Sequence, residues 1–177
     1  MPPTCPTLAL TTRPATADDI PLLRDLAERI WRAAYAAMIP PEQIDYMLAW
    51  MYGAETITRE LGEGAVWEVA LDGAEPVGFF SVTFEEASQA KLQKLYLLPE
   101  RQGAGLGKAM IERVHEVAAA RGASVIWLQV NKRNARAIRA YERAGYTVER
   151  SAVFDIGRGF VMDDFIMQRA LAPQTAA

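Results

Sequence analysis

Cysteine and histidine are almost missing from this chain of 177 residues, which has one of each, Cys5 and His115. A lone cysteine closes no internal disulfide. With a single histidine there is no Cys/His cluster for structural zinc and no basis for a Ser-His-Asp or Cys-His triad. His115 falls in the middle of a helical pattern, where a solvent-facing or lightly packed role is expected. Long apolar runs are missing too, and none reaches the ~20 residues of a membrane-spanning helix. The N-terminus shows no basic segment followed by an apolar one, so no signal peptide is read and the cytoplasm is the default location. Nor is positive charge in excess: 19 Lys and Arg against 22 Asp and Glu give a net charge of −3. That disfavours nucleic acid or an anionic membrane as partner and is compatible with a cationic substrate.

What the chain has is enough apolar material for a sizeable core, with 51% hydrophobic residues. Its length suits one domain, residues 1–177, with an ordered core of about 7–171 between frayed ends. Leu8–Arg13 reads as a strand. Thr16-Ala-Asp-Asp19 has capping-box form, and Ile20, Leu23, Ala27, Ile30, Trp31 and Ala34 follow at helical spacing. Pro40-Pro41 breaks that helix and starts another, stopped by Gly53; Glu55–Leu61 predicts a further short one. Strands are predicted at Val66–Leu71 and Val77–Phe84, joined by an Asp72-Gly73 hairpin turn, and at Lys91–Leu98. A helix over Gly105–Arg121, a buried strand over Val125–Val130, a helix over Asn134–Ala144 and a closing antiparallel pair, Thr147–Phe154 and Phe160–Leu171, complete an α/β order.

The most informative segment joins the Lys91–Leu98 strand to the next helix: Pro99-Glu-Arg-Gln102-Gly103-Ala104-Gly105-Leu106-Gly107-Lys108. Glycine lets a backbone turn with positive φ and approach a ligand closely. The first N–H groups of a helix lack partners and carry the positive end of its dipole, so the turn suits a phosphate or pyrophosphate. A P-loop would need G-x-x-x-x-G-K-[ST]; here the spacing is one residue short and Ala109 stands where the hydroxyl belongs. A dinucleotide site would need G-x-G-x-x-G and an acidic residue at the next strand end, where Val130-Asn131-Lys132 stands instead.

Gln102-Gly103-Ala104-Gly105-Leu106-Gly107 resembles the Q/R-x-x-G-x-G/A motif of the GNAT superfamily of acetyl-CoA-dependent N-acyltransferases. Leu92–Pro99 resembles that family's fourth strand, Trp127–Asn131 its fifth, and Asn134–Tyr146 the helix and closing aromatic beyond it. Within the superfamily the likeness is greatest to bacterial spermidine/spermine acetyltransferases, through the Trp31–Tyr52 segment and the Phe154…Met167 ending. The resemblance implies a mostly antiparallel, mixed seven-stranded sheet with flanking helices, whose parallel fourth and fifth strands splay apart at the centre. Acetyl-CoA is the implied cosubstrate and no metal is called for. The implied partner is a small-molecule amine, such as a polyamine, and the implied assembly is a homodimer through the C-terminal strands.

Carried over residue by residue, the resemblance places pyrophosphate on the backbone of Gln102, Gly103, Ala104, Gly105, Leu106, Gly107 and Lys108. Pantetheine lies along the backbone of Leu95, Tyr96 and Leu97, where an N–H also faces the thioester oxygen. Asn134 contacts the coenzyme arm or caps its helix, and Tyr141 points its hydroxyl at the sulfur as an acid. Where relatives carry a glutamate on the fourth strand this chain has Gln93, which cannot serve as a base, so Glu85, Glu86 or a water chain are the alternatives. Trp31, Tyr35, Gln93 and Phe154 are candidates to line the acceptor site, with Asp45, Asp155, Asp163 and Asp164 as carboxylates that would suit a polyamine. Asp163-Asp164 reads equally as strand-edge charge that deters aggregation. Two other readings are a protein or peptide acceptor, and a non-catalytic CoA-binding sensor module.

Overall fold

The first helical segment starts where a carboxylate collects three donors. Asp19 accepts from the Thr16 N–H at 2.9 Å and from both Arg13 nitrogens at 2.8 and 2.7 Å. The Arg13 guanidinium, helped by that N–H, holds the Asp19 carboxyl down at about 2. The computed structural model describes residues 10–85 and 88–172. Leu8, Cys5 and Glu86 lie outside them. Strand β1 is Leu10–Pro14; a 3-10 turn at Ala17–Asp19 leads into α1, Ile20–Tyr35, followed by α2, Pro41–Tyr52, and α3, Ala54–Gly62. Then come β2 Val66–Asp72, β3 Glu75–Glu85, β4 Gln89–Leu97, α4 Leu106–Ala120, β5 Val125–Asn131, α5 Ala135–Arg143, β6 Thr147–Gly157 and β7 Phe160–Ala170. The last hairpin runs longer than its apolar pattern indicates, because Gly157 and Gly159 at φ of 89° and 79° place the turn beyond Ile156.

The strands form one seven-stranded sheet in the order β1-β2-β3-β4-β5-β7-β6, antiparallel throughout except for the parallel pair β4 and β5. One face carries α1, α2 and α3 over Trp67, Val69, Phe79 and Tyr96. The other carries α4, with α5 at its margin, over Phe80, Val82, Leu92, Ile126 and Leu128. Among the described residues no helix is long and apolar enough to cross a membrane.

The sheet departs from regular pairing at one decisive point. Ser81 of β3 faces Lys94, but Val82 faces Leu92, which leaves Gln93 as the extra residue of a β-bulge in β4. Further along, Gly78 lies so close to the Tyr96 carbonyl oxygen that an added Cβ would sit 2.3 Å from it. Only glycine admits that approach.

Two polar arrangements hold the faces. Lys94, nearly fully buried, donates to Glu60 of α3 at 2.9 Å and lies over the Trp67 ring. On the other face His115 is not solvent-facing. Its Nδ1 lies 3.0 Å from the Arg169 guanidinium, which can only donate, so Nε2 carries the proton and donates to the Tyr146 hydroxyl at 3.0 Å. Burial, with Arg169 alongside, pulls His115 down to about 4.

Glu60→Ala strands the Lys94 ammonium without a partner and is expected to lower unfolding free energy by about 3 kcal/mol in urea denaturation. His115 binds a proton on unfolding below its usual value of about 6.5. Its contribution to stability is therefore complete above that pH, declines as pH falls towards 4, and is flat below. Melting temperatures of the parent and His115→Gln should converge across that window.

Candidate active site

Strands β4 and β5 pair from Gln89↔Val125 to Leu92↔Leu128 and no further, although β4 continues to Leu97 and β5 to Asn131. The pairing ends at the bulge. Beyond it β4 keeps β3 on one side and has an open edge on the other. Leu98 N–H donates to Val77 of the β2–β3 side, and the Tyr96 carbonyl abuts Gly78. By strand alternation Leu95 and Leu97 turn their backbone groups into the opening. Tyr96 turns its own towards β3, so it is the side chain of Tyr96 that contributes to the site, not its backbone.

At the mouth of the opening lies the glycine turn. Gly103 and Gly105 have φ of 92° and 82°, and the latter is the N-cap of α4. The N–H groups from Gly103 to Lys108 donate to no described carbonyl or side chain, the first α4-type bond being Ala109 N–H to Gly105. Open space surrounds Gly103, Gly105 and Gly107. This is a row of free donors at a helix N-terminus. The Gln102 side chain reaches back to the Leu97 carbonyl at 3.0 Å, fixing the turn to the end of β4. Lys108 extends into solvent, and Arg101 is engaged by Asp72 and Glu75 of the β2–β3 turn.

A cavity of about 100 Å³ sits on the α1–α2 side of the opening. Trp31, Tyr35, Gln93 and Tyr96 line it, as do Lys91, Gln129, Asn131 and Asp164, under a cover that includes Ile39, Gln43 and Met47. The Tyr35 hydroxyl lies near the Tyr96 hydroxyl and the Asn134 side chain, and burial raises it. Asn134 caps α5 by accepting from Ala137 N–H at 3.1 Å, so its capping and site-facing roles coexist. Trp31 is mainly a core residue whose indole donates to Tyr52 at 3.0 Å. Gln93 donates to Thr83 at 3.1 Å. Tyr141, on α5 at the opposite face, packs edge-on against Tyr146 with ring centres 5.5 Å apart. Burial pushes its hydroxyl well above the usual phenol value, so it holds its proton.

Tyr141 does not line the cavity, and nor do the sequence candidates Glu85 and Phe154. Glu85 sits exposed at the end of β3, where it accepts from the Trp127 indole at 3.2 Å. Phe154 lies one strand too far out, on β6; its cross-strand partner Met162 takes the lining position. The carboxylates also sort themselves. Asp45 pairs with Arg32, Asp155 accepts from Gly157 N–H, and Asp163 pairs with Lys132. Asp164 is no edge charge, since β7 is flanked by β5 and β6 and the residue is 2% exposed. Lys91 is a lining cation that sequence reasoning missed; its ammonium donates to Gln129 at 2.7 Å, and burial lowers it. Its place on alternate positions of β4 with Gln93 was the available signal. A larger groove of about 370 Å³ between α1 and α2 is lined by charges such as Arg32, Glu28 and Asp45 that pair with one another, and it does not reach the opening.

A mixed sheet opened between two parallel strands, with a donor-rich glycine turn at the mouth, is the frame of an acyl-CoA-dependent transferase. The chain belongs to the acetyltransferase (GNAT) family, whose model matches residues 23–146. The matching model describes acetyltransferases. An uncharacterised N-acetyltransferase of Mycobacterium bovis is 35% identical over 54% of this chain, and the chain spans only 60% of that relative's length. The peptidyl-lysine N-acetyltransferase YjaB of Salmonella typhimurium is 31% identical over 63% of this chain and 71% of its own. A spermidine N(1)-acetyltransferase of Thermoplasma acidophilum is 22% identical over 88% and 97%. In fold, the crystal structure of the PaiA N-acetyltransferase from Thermoplasma acidophilum in complex with coenzyme A is similar, with a TM-score of 0.77 at 22% identity, covering 92% of this chain and 99% of that one.

Gly105→Val puts a β-branched residue at positive φ and turns the α4 N-terminus away from the mouth. Isothermal titration with coenzyme A should show affinity weakened by about tenfold or more, or about 1.4 kcal/mol.

Proposed function

We propose that the protein acts over its whole length as one cytoplasmic N-acetyltransferase unit, moving the acetyl group of acetyl-CoA to the primary amine of a small molecule by direct attack. The observation that carries this reading is the cavity of about 100 Å³ at the bulge, roofed by the α1–α2 segment and floored by β4, β5 and β7. A roof of that bulk favours a small acceptor over a folded protein. Its lining holds one buried carboxylate, Asp164, and one ammonium, Lys91, which favours an acceptor with a single cationic end inside the site. A polyamine fits if its remaining charges lie outside.

The turn from Gly103 to Lys108 binds the pyrophosphate, the expected Gln102 N–H being already given to the Pro99 carbonyl, and the Leu95 and Leu97 edge of β4 takes pantetheine as an added strand. A free N–H of that edge polarises the thioester carbonyl and stabilises the oxyanion. The amine nitrogen bonds to the carbonyl carbon, the C–S bond breaks, and the proton shed by the new amide nitrogen ends on sulfur. Tyr141, which keeps its own proton, donates a hydrogen bond to that sulfur as it leaves. Among the described residues that line the cavity there is no cysteine or serine, which supports direct attack over an acyl-enzyme.

A panel of amines assayed for free thiol release from acetyl-CoA tests this reading, which fails if none is turned over. Tyr141→Phe should lower kcat by about ten- to a thousandfold while coenzyme A binding stays within about twofold.

A further inference from the structure

Asp164 is the one described carboxylate in the cavity, and nothing in the fold accounts for it. The residue is 2% exposed and no side-chain hydrogen bond or ion pair joins it to the described residues; its oxygens are not sealed in the core but face the cavity. A buried carboxylate without a donor is costly, so native proteins rarely keep one without a use. Its neighbours are committed elsewhere. Asn131, directly opposite on β5, accepts from Arg133 N–H; Lys91 donates to Gln129; Lys132 pairs with Asp163.

Resting on the reading of this cavity as the acceptor site, we propose that Asp164 receives the acceptor's ammonium group and takes the proton that the amine must lose before it attacks. The carboxylate accepts one proton from R–NH3+, leaving the nitrogen lone pair free. That lone pair forms the C–N bond, and the proton on Asp164 returns to water when the products leave. The role open at Gln93, an amide in place of a base, then passes from the fourth strand to the seventh. The charged and titratable groups around Asp164 are Lys91 from β4, Lys132 after β5, Asp163 beside it on β7 and Tyr35 from α1; α2 presents Gln43, Met47 and Met51. Desolvation, with the Asp163 charge alongside, raises the Asp164 carboxyl to about 6, against the pull of Lys132 and Lys91. A base of that strength is charged at neutral pH and still binds a proton usefully.

The sign of the stability effect makes the test specific. A carboxyl raised in the folded state contributes stability below its unfolded value of about 3.9 and loses it as pH rises through 6. Asp164→Asn should therefore melt a few degrees higher than the parent at pH 7.5, and this needs no substrate. On the best amine of the panel it should lose at least about a hundredfold in kcat/KM and the acid limb near pH 6, with the KM for acetyl-CoA unchanged. Asp164→Glu should recover part of the rate and the limb. Lower melting temperatures in both variants would make Asp164 a structural residue and overturn the proposal. So would an Asn variant within about threefold of the parent in kcat/KM. Absence of turnover by the parent itself is a different result, which sinks the acceptor-site reading beneath this one.

Discussion

Two strands that begin as hydrogen-bonded neighbours part only if something breaks their register, and here one extra residue does so. Gln93 is inserted into β4 without a partner on β3, and the ladder to β5 ends at the residue before it. Every element of the site takes its position from that break. The freed edge of β4 is where the proposed cosubstrate would lie, the glycine turn follows at its end, and the cavity opens beside the bulge. A β4 without the bulge would pair with β5 to Asn131 and seal the sheet. Gly78 helps hold β4 beyond the bulge, because its missing side chain lets the Tyr96 carbonyl press against β3.

Much of this could be read from the residues. The free donors of Gly103–Lys108 follow from glycine spacing and the start of a helix, and those features are local. Strand β5 and the Asn134 cap were legible for the same reason. What lay hidden was set by cross-strand geometry. A bulge depends on the partner strand, so nothing in Leu92-Gln93-Lys94 announces it. Phe154 and Met162 alternate on neighbouring strands, and only the inter-strand register decides which reaches the cavity. Asp164 read equally as an acceptor-site carboxylate and as strand-edge charge, because β7 comes last in the chain and its place in the sheet is not written in its own residues. The sheet order places β7 inside β6, which buries alternate residues. His115 likewise gained its partners from β7 and from Tyr146 in the turn between α5 and β6, far away in sequence.

The aromatic cluster on the α1–α3 face keeps the cavity's deep wall dry and stiff. Trp31, Tyr35, Tyr52, Phe79 and Tyr96 contact one another with ring centres 4.4 to 6.4 Å apart. Burial raises the hydroxyls of Tyr35, Tyr52 and Tyr96, so they remain neutral and serve as fixed dipoles. Charge in the cavity lining is thereby confined to Asp164 and Lys91, in a medium where each acts with little screening.

The loop between β5 and α5 is tied to the opposite face. The Arg133 guanidinium donates to the carbonyls of Ala37 and Met38 in the α1–α2 connection, one residue before Asn134. The α1–α2 connection and the start of α5 thus share an anchor, so neither can be displaced without loading the other through the Arg133 guanidinium.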